Sequence, residues 1–357
     1  MSALLIWQPV KTVLWRRPVA GSRSLGANIN WGASDHELFF NDVDITDWRP
    51  FAWKLDPFTD ARQRLAGTVY HVSPDGRWLV SANLANMRRT QPGYGVRVPD
   101  HVPPRNVGPV DDDGLYITDT LTGKSRLMVS IRDLLTQADP PVRMDQPDRQ
   151  EIYAFHGKFN PQGDRLMLSL RWFLAQDTPQ WDMFSINFDA VRYAWVTMPF
   201  DGGPKHCAVG PEQWEKGGHH ATWFPDGRRI SMNLSIDRGC LRFVQVNADG
   251  SGLRKMGDNL VGSGHPTMHP DGRHLLADAY VWEEVAFGDG TIPLRWIDLS
   301  TESEKTLVRI NTESHAADAV LRVDAHPAWD RTWRYVTFNA FVDGTRRVFI
   351  ADMESLI

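Results

Sequence analysis

The stretch Gly218-His219-His220-Ala221-Thr222-Trp223-Phe224-Pro225-Asp226-Gly227-Arg228-Arg229-Ile230-Ser231-Met232 decides the fold. A strand enters a tight turn, and an apolar, alternating strand leaves it. Proline fixes φ at the first corner of such a turn, and glycine supplies a positive φ at its end. The same turn recurs at Ser73-Pro74-Asp75-Gly76, Asn160-Pro161-Gln162-Gly163 and His269-Pro270-Asp271-Gly272. A degenerate copy is Asp330-Arg331-Thr332-Trp333. A third strand follows in each unit, as in Leu241-Arg242-Phe243-Val244-Gln245-Val246, and then a fourth, as in Lys305-Thr306-Leu307-Val308. Four short antiparallel strands per unit of ~45–60 residues make the blade of a β-propeller.

Six units are recognisable. The first carries the weak turn Ala33-Ser34-Asp35-His36, and the last ends at its third strand, Arg347-Val348-Phe349-Ile350-Ala351-Asp352. A strand from residues 3–16 is expected to complete that last sheet and close the ring. Two strands fit in residues 3–20, so seven blades are expected, with six as the alternative. The whole chain, 1–357, then reads as one all-β domain. Ile131-Arg132-Asp133-Leu134-Leu135 is expected to form one or two helical turns. Long insertions at 84–112 and 173–192 separate the second and third strands of two units. In a propeller such insertions wall the face on which the inner strands begin.

Composition narrows the function classes. The chain is 42% hydrophobic and 23% charged, with a net charge of −5. Nothing in that balance suggests a nucleic-acid or membrane footprint. Two cysteines, Cys207 and Cys240, build no disulfide framework. No basic n-region or cleavage site marks a signal peptide, and no window reaches the ~20 apolar residues of a membrane span. A cytoplasmic monomer or small homo-oligomer is expected. Fifteen tryptophans suit β-strands, and exposed ones suit stacking on sugar rings.

Seven residues before the end of each turn stand His156, His220, His265 and His326, with Val69 in the one copy that differs. Histidine is 12 of 357 residues, so this is a roughly one-in-ten-thousand coincidence by chance. That register is expected to open the inner strand of each blade at the channel mouth. Asp324 lies two residues before His326, on the same face by the period of two. His220, His265, Asp324 and His326 therefore form a mixed N/O metal set. The competing reading makes each histidine a turn cap or an interblade hydrogen bond. By strand alternation, His219 should point away from His220. Arg171 is expected to emerge on the funnel face. Arg88 and Arg89 open the first long insertion, followed by Tyr94. Guanidinium groups suit a carboxylate, and a tyrosine can exchange a proton near a sugar ring.

Asp324-Ala325-His326-Pro327-Ala328-Trp329 through Phe338-Asn339 and Val348-Phe349-Ile350-Ala351 resembles the C-terminal blade of the oligogalacturonate lyase family. So do Gly218 to Gly227 and Gly264-His265-Pro266. The resemblance spans most of residues 68–357. It implies a seven-bladed propeller that cleaves short uronic-acid oligosaccharides by β-elimination. It implies metal-ligand roles for His220 and His326, and a general-base role for His156. Asp324 stands where the family has another histidine ligand, and no Gln stands near Leu321-Arg322, where the family has one. The family's catalytic arginine aligns near Gly114, which leaves Arg171, Arg88 or Arg89 to serve the carboxylate. The insertion carrying Arg88, Arg89 and Tyr94 also resembles propeller lyases acting on rhamnose–glucuronate or ulvan-type linkages.

The expected function is a metal-assisted lyase of short uronic-acid-containing oligosaccharides, with a divalent ion (Mn, Zn or Ca). His156, Arg171 and Tyr94 are its expected catalytic groups, and Arg88 and Arg89 its carboxylate binders. The alternatives are a non-catalytic propeller that binds a carbohydrate or protein partner, and a metal-dependent hydrolase.

Overall fold

The computed structural model describes residues 28–91, 94–175, 190–237, 239–312 and 323–356. Among them are six sheets, each a simple antiparallel meander: five of four strands and a last one of three. The fold is therefore an all-β propeller, with six blades among the described residues, the smaller of the two counts expected. Residues 3–20, from which a closing strand and a seventh blade were expected, lie outside the described residues.

The described residues fall into two compact units. One holds the residues up to Glu215 together with Ala248–Ser251, and so contains the first three blades. The other holds Lys216–Asn247 and the residues from Gly252 on, with the last three. The only described helix of more than one turn is Ile131–Gln137, where Ser130 caps the Asp133 amide.

The turns behave as their sequences dictate. Gly76, Gly163, Gly227 and Gly272 all have φ between 64° and 76°, and each donates its N–H back across the turn. Trp333 does the same in the degenerate copy, with φ of 60°. A tryptophan in this region is strained. Its packing against Trp329, at 5.8 Å between ring centroids, holds it there.

The inner strands carry a feature that strand alternation hides. His156, His220 and His326 each have a left-handed backbone, with φ of 45°, 56° and 46°. The strand pairing slips at His156 and at His220, where one extra residue is accommodated. These are β-bulges, which re-aim a side chain at the cost of ladder hydrogen bonds. Two of the four register histidines, His156 and His220, thus sit at bulges, and His326 shares their left-handed backbone.

A second repeat lies in the second strands. Six residues past four of the five turn ends stand Ser169, Asn233, Asp278 and Asn339, polar residues in otherwise apolar segments, with Ala82 in the copy that differs. Asn233 donates to the Gly264 carbonyl of the next blade at 2.8 Å. Asn339 donates to the Asp324 carbonyl of its own blade at 3.1 Å. In the first blade Asn41, fully buried, donates to the Val69 carbonyl and accepts from the Val69 amide, both at 2.7 Å. The three asparagines each latch the mouth of an inner strand, Asn41 and Asn233 across blades.

Replacing Asn41 with alanine strands the buried Val69 N–H, while the Val69 carbonyl keeps the Asn28 side chain at 3.0 Å. The expected loss is about 1–3 kcal/mol of stability, seen as a lower urea midpoint.

Candidate metal centre and a second polar cluster

Gly264 begins the candidate metal centre in the C-terminal unit. Its φ is 55°, and a Cβ there would meet the Asp278 backbone oxygen at 2.2 Å and its Oδ1 at 2.3 Å. Only glycine lets Asp278 close in. The Asp278 carboxylate, buried, then accepts from three donors. They are the His265 amide at 2.6 Å, the His265 Nδ1–H at 3.0 Å and the His326 amide at 3.0 Å. Burial pushes this carboxyl above its usual range, and the two amides pull it back. One carboxylate therefore fixes two neighbouring blades and the tautomer of one imidazole.

The tautomer of His220 is fixed too. Its Nδ1 lies 2.8 Å from the Gly264 carbonyl, which can only accept, so Nδ1 carries the proton. The lone pair is on Nε2, which lies 3.1 Å from the Tyr280 hydroxyl. The same hydroxyl is 3.4 Å from His265 Nε2. The rings lie close and tilted, His220 to His265 at 3.9 Å and His265 to His326 at 3.9 Å between centroids. Burial, with His265 and His219 beside it, holds His220 well below the usual imidazole range, so it is neutral.

His265, Asp324 and His326 each offer one ligand atom within 4.8 Å of the others. This is a candidate metal set, and His220 stands directly beside it. The donor chemistry fits a divalent ion. Imidazole nitrogens converge with a carboxylate, and a second carboxylate orients His265 from behind, the arrangement found around metal-ligating histidines. His219 did not follow alternation. Its ring lies 4.4 Å from that of His220, because the bulge turns His220 out of phase. It serves the scaffold, accepting from Asn233 at 3.0 Å and pairing with Glu283 at 3.2 Å.

The N-terminal unit holds a different cluster. His156 stacks on Tyr70 at 5.0 Å, lies 4.0 Å from Phe155 and 6.3 Å from Tyr94. Arg171 is 8% exposed, with its guanidinium 3.6 Å from the Phe155 ring and 5.1 Å from Tyr193. It donates to the Gln91 side chain, which anchors the insertion on this strand. Burial pulls Arg171 down to about 10, so it stays a cation at neutral pH. Lys158, two residues past His156, is likewise pulled down to about 8 by burial. A cluster of aromatic rings around buried cations is suited to an anionic, ring-shaped ligand.

Arg88 and Arg89, expected to bind carboxylates, each have a partner within their own insertion. Arg88 pairs with Asp100 at 2.9 Å, and Arg89, only 3% exposed, donates to the Pro103 carbonyl at 2.8 Å. Gly114 leaves no room for an arginine, since a Cβ would meet the Val129 carbonyl at 2.1 Å. Tyr70, Asp278, Tyr280 and Glu283 are not identified by sequence reasoning. The polar residue six past four of the five turn ends does point to Asp278, and Tyr70 adjoins the Val69 that stands in the histidine register. Tyr280 and Glu283 sit in a loop with no motif.

No family model matches the chain, and no curated protein matches it. Solved structures do. An oligogalacturonate lyase from Vibrio parahaemolyticus aligns with a TM-score of 0.57 at 15% identity, over 91% of this chain and 77% of that one. An oligogalacturonate lyase in complex with manganese aligns with a TM-score of 0.57 at 14% identity, over 91% and 76%. TolB from Acinetobacter baumannii gives 0.46 at 10% identity, over 91% and 62%. At these identities the likeness to the two lyases shows the β-propeller fold alone.

Two outcomes follow. Asp278→Asn keeps the shape but weakens the hold on both histidines, so the affinity for Mn or Zn is expected to fall about 10–100-fold by calorimetry. The second concerns pH. His71, which accepts from the Phe159 amide at 3.2 Å, is pulled down to about 4 by burial, and His220 is lowered as well. Both stay neutral in the folded chain where a free imidazole, near 6.5, takes a proton. The unfolded state therefore binds more protons below about pH 6.5, and stability falls as pH falls through that point. Urea midpoints of metal-free protein should be level above it and drop below it, with a smaller drop in His71→Gln.

Proposed function

We propose that the chain is a metal-assisted lyase of short uronic-acid-containing oligosaccharides. The observation that carries this reading is the convergence of register-matched histidines with Asp324 at the mouths of adjacent blades. The metal would be held by His265, Asp324 and His326, with His220 beside them. An imidazole-rich set suits Mn or Zn better than Ca, a hard cation that takes six to eight oxygens. A bound divalent ion would neutralise the uronate carboxylate and so acidify the C5 proton.

Within the N-terminal unit, taken by itself, His156 is the proposed base for the C5 proton, an imidazole suited to neutral pH. Its ring is held by the Tyr70 stack and by its left-handed backbone. The C4–O bond breaks as the C4=C5 double bond forms, and Tyr94 gives the departing oxygen a proton. Arg171 supplies a fixed positive charge for a carboxylate, as its burial among aromatic rings supports.

The reaction is read from the ultraviolet absorbance of the unsaturated uronate over a panel of uronide oligosaccharides. His156→Ala is expected to lower kcat about 10²–10⁴-fold with metal content intact. Arg171→Gln is expected chiefly to raise KM. Products whose masses sum to the substrate's mark elimination, whereas products heavier by one water mark a metal-dependent hydrolase. Failure of metal-loaded protein to cleave any uronide contradicts the lyase reading.

A further inference from the structure

The loop between the second and third strands of the fifth blade, His274–Ala277 and Thr291–Asp298, carries two exposed aromatics. Phe287 is 42% exposed and lies under the Arg309 guanidinium at 4.3 Å. Trp282 is 63% exposed and lies parallel to Tyr280, with ring centroids 4.7 Å apart and only 6° between planes. Single exposed aromatics are ordinary on a protein surface. Three observations set Trp282 apart.

First, its backing ring is part of the metal centre. The Tyr280 hydroxyl reaches His220 and His265, and its ring lies 5.6 Å from that of His265. Second, the turn that presents it is pinned. Glu283 accepts from the Tyr280 amide at 2.8 Å and from the Gly264 amide at 3.3 Å, bonds the Ser263 hydroxyl, and pairs with His219. Third, the reach is right. The steps from His265 to Tyr280 and from Tyr280 to Trp282 together span no more than a disaccharide.

We propose that Trp282, backed by Tyr280, is a sugar-stacking platform that holds a pyranose ring adjacent to the one at the metal centre. The C–H face of a pyranose is apolar and flat enough to lie on an indole, and a large, pinned aromatic loses little freedom on binding it. Phe287 lies against the Arg309 guanidinium, whereas the ring behind Trp282 reaches the histidines. The platform selects for oligosaccharides over single sugars and makes no demand on the carboxylate. Its ligand class rests on the uronide reading above, but its contact is charge-independent, so the two can be told apart.

The test uses the full-length, metal-loaded protein and two probes, trigalacturonate and its neutral C6-reduced counterpart, measured by calorimetry. Trp282→Ala is expected to weaken both probes by about the same factor, roughly tenfold, with metal content unchanged. Trp282→Phe is expected to restore most of the affinity. His326→Ala should weaken the acidic probe far more than the neutral one. Unchanged affinity of Trp282→Ala for both probes overturns the platform, as does failure of the wild-type protein to bind either one. Equal wild-type affinity for the two probes, with both lost in Trp282→Ala, keeps the platform and overturns the uronide reading.

Discussion

The C-terminal unit depends on one carboxylate. Asp278 is buried and accepts from two backbone amides on neighbouring blades and from one imidazole. A buried charge of this kind is tolerable only when its hydrogen bonds are complete. Here they are completed by the groups that must be placed, so the cost of burying the charge and the positioning of His265 and His326 are one interaction. Gly264 is the condition for it, because any side chain there would collide with Asp278. Asn233, reaching the Gly264 carbonyl from the blade before, ties His219 and His220 into the same frame.

The backbone of the histidine positions fits that picture. Three of the four stand in a left-handed conformation that costs a non-glycine residue on the order of 1 kcal/mol or more. Such strain persists only where surrounding contacts over-determine it. A hydrogen-bonding cap could be provided on a regular strand. At His220 the bulge brings the imidazole against His265, so there the direction of the ring is what the strain secures.

Much of this was legible in the sequence, and the limits are specific. The turn motif gave the strand order because proline and glycine fix φ locally, and the spacing of His156, His220, His265 and His326 from the turn marked the inner-strand mouths. Alternation then failed at His219, since a bulge shifts the period by one residue and nothing in the residue types announces it. Arg88 and Arg89 read as ligand-binding because charge in a loop is visible, while Asp100 and the Pro103 carbonyl that occupy them are distant partners. Tyr280 and Trp282 lay in an unpatterned loop, where only the fold brings an aromatic ring against the histidines. The two clusters also differ in kind. One is imidazole and carboxylate, suited to a cation; the other is aromatic and cationic, suited to an anion.

The central claim is that His265, Asp324 and His326 hold a divalent ion. X-ray absorption at the metal edge of the manganese- or zinc-loaded protein tests it most directly, because imidazole ligands give a characteristic outer-shell scattering. The account predicts a first shell of two or three imidazole nitrogens and at least one carboxylate oxygen, with the imidazole signal diminished in His265→Ala. A shell of oxygens alone, unchanged by that substitution, would contradict it.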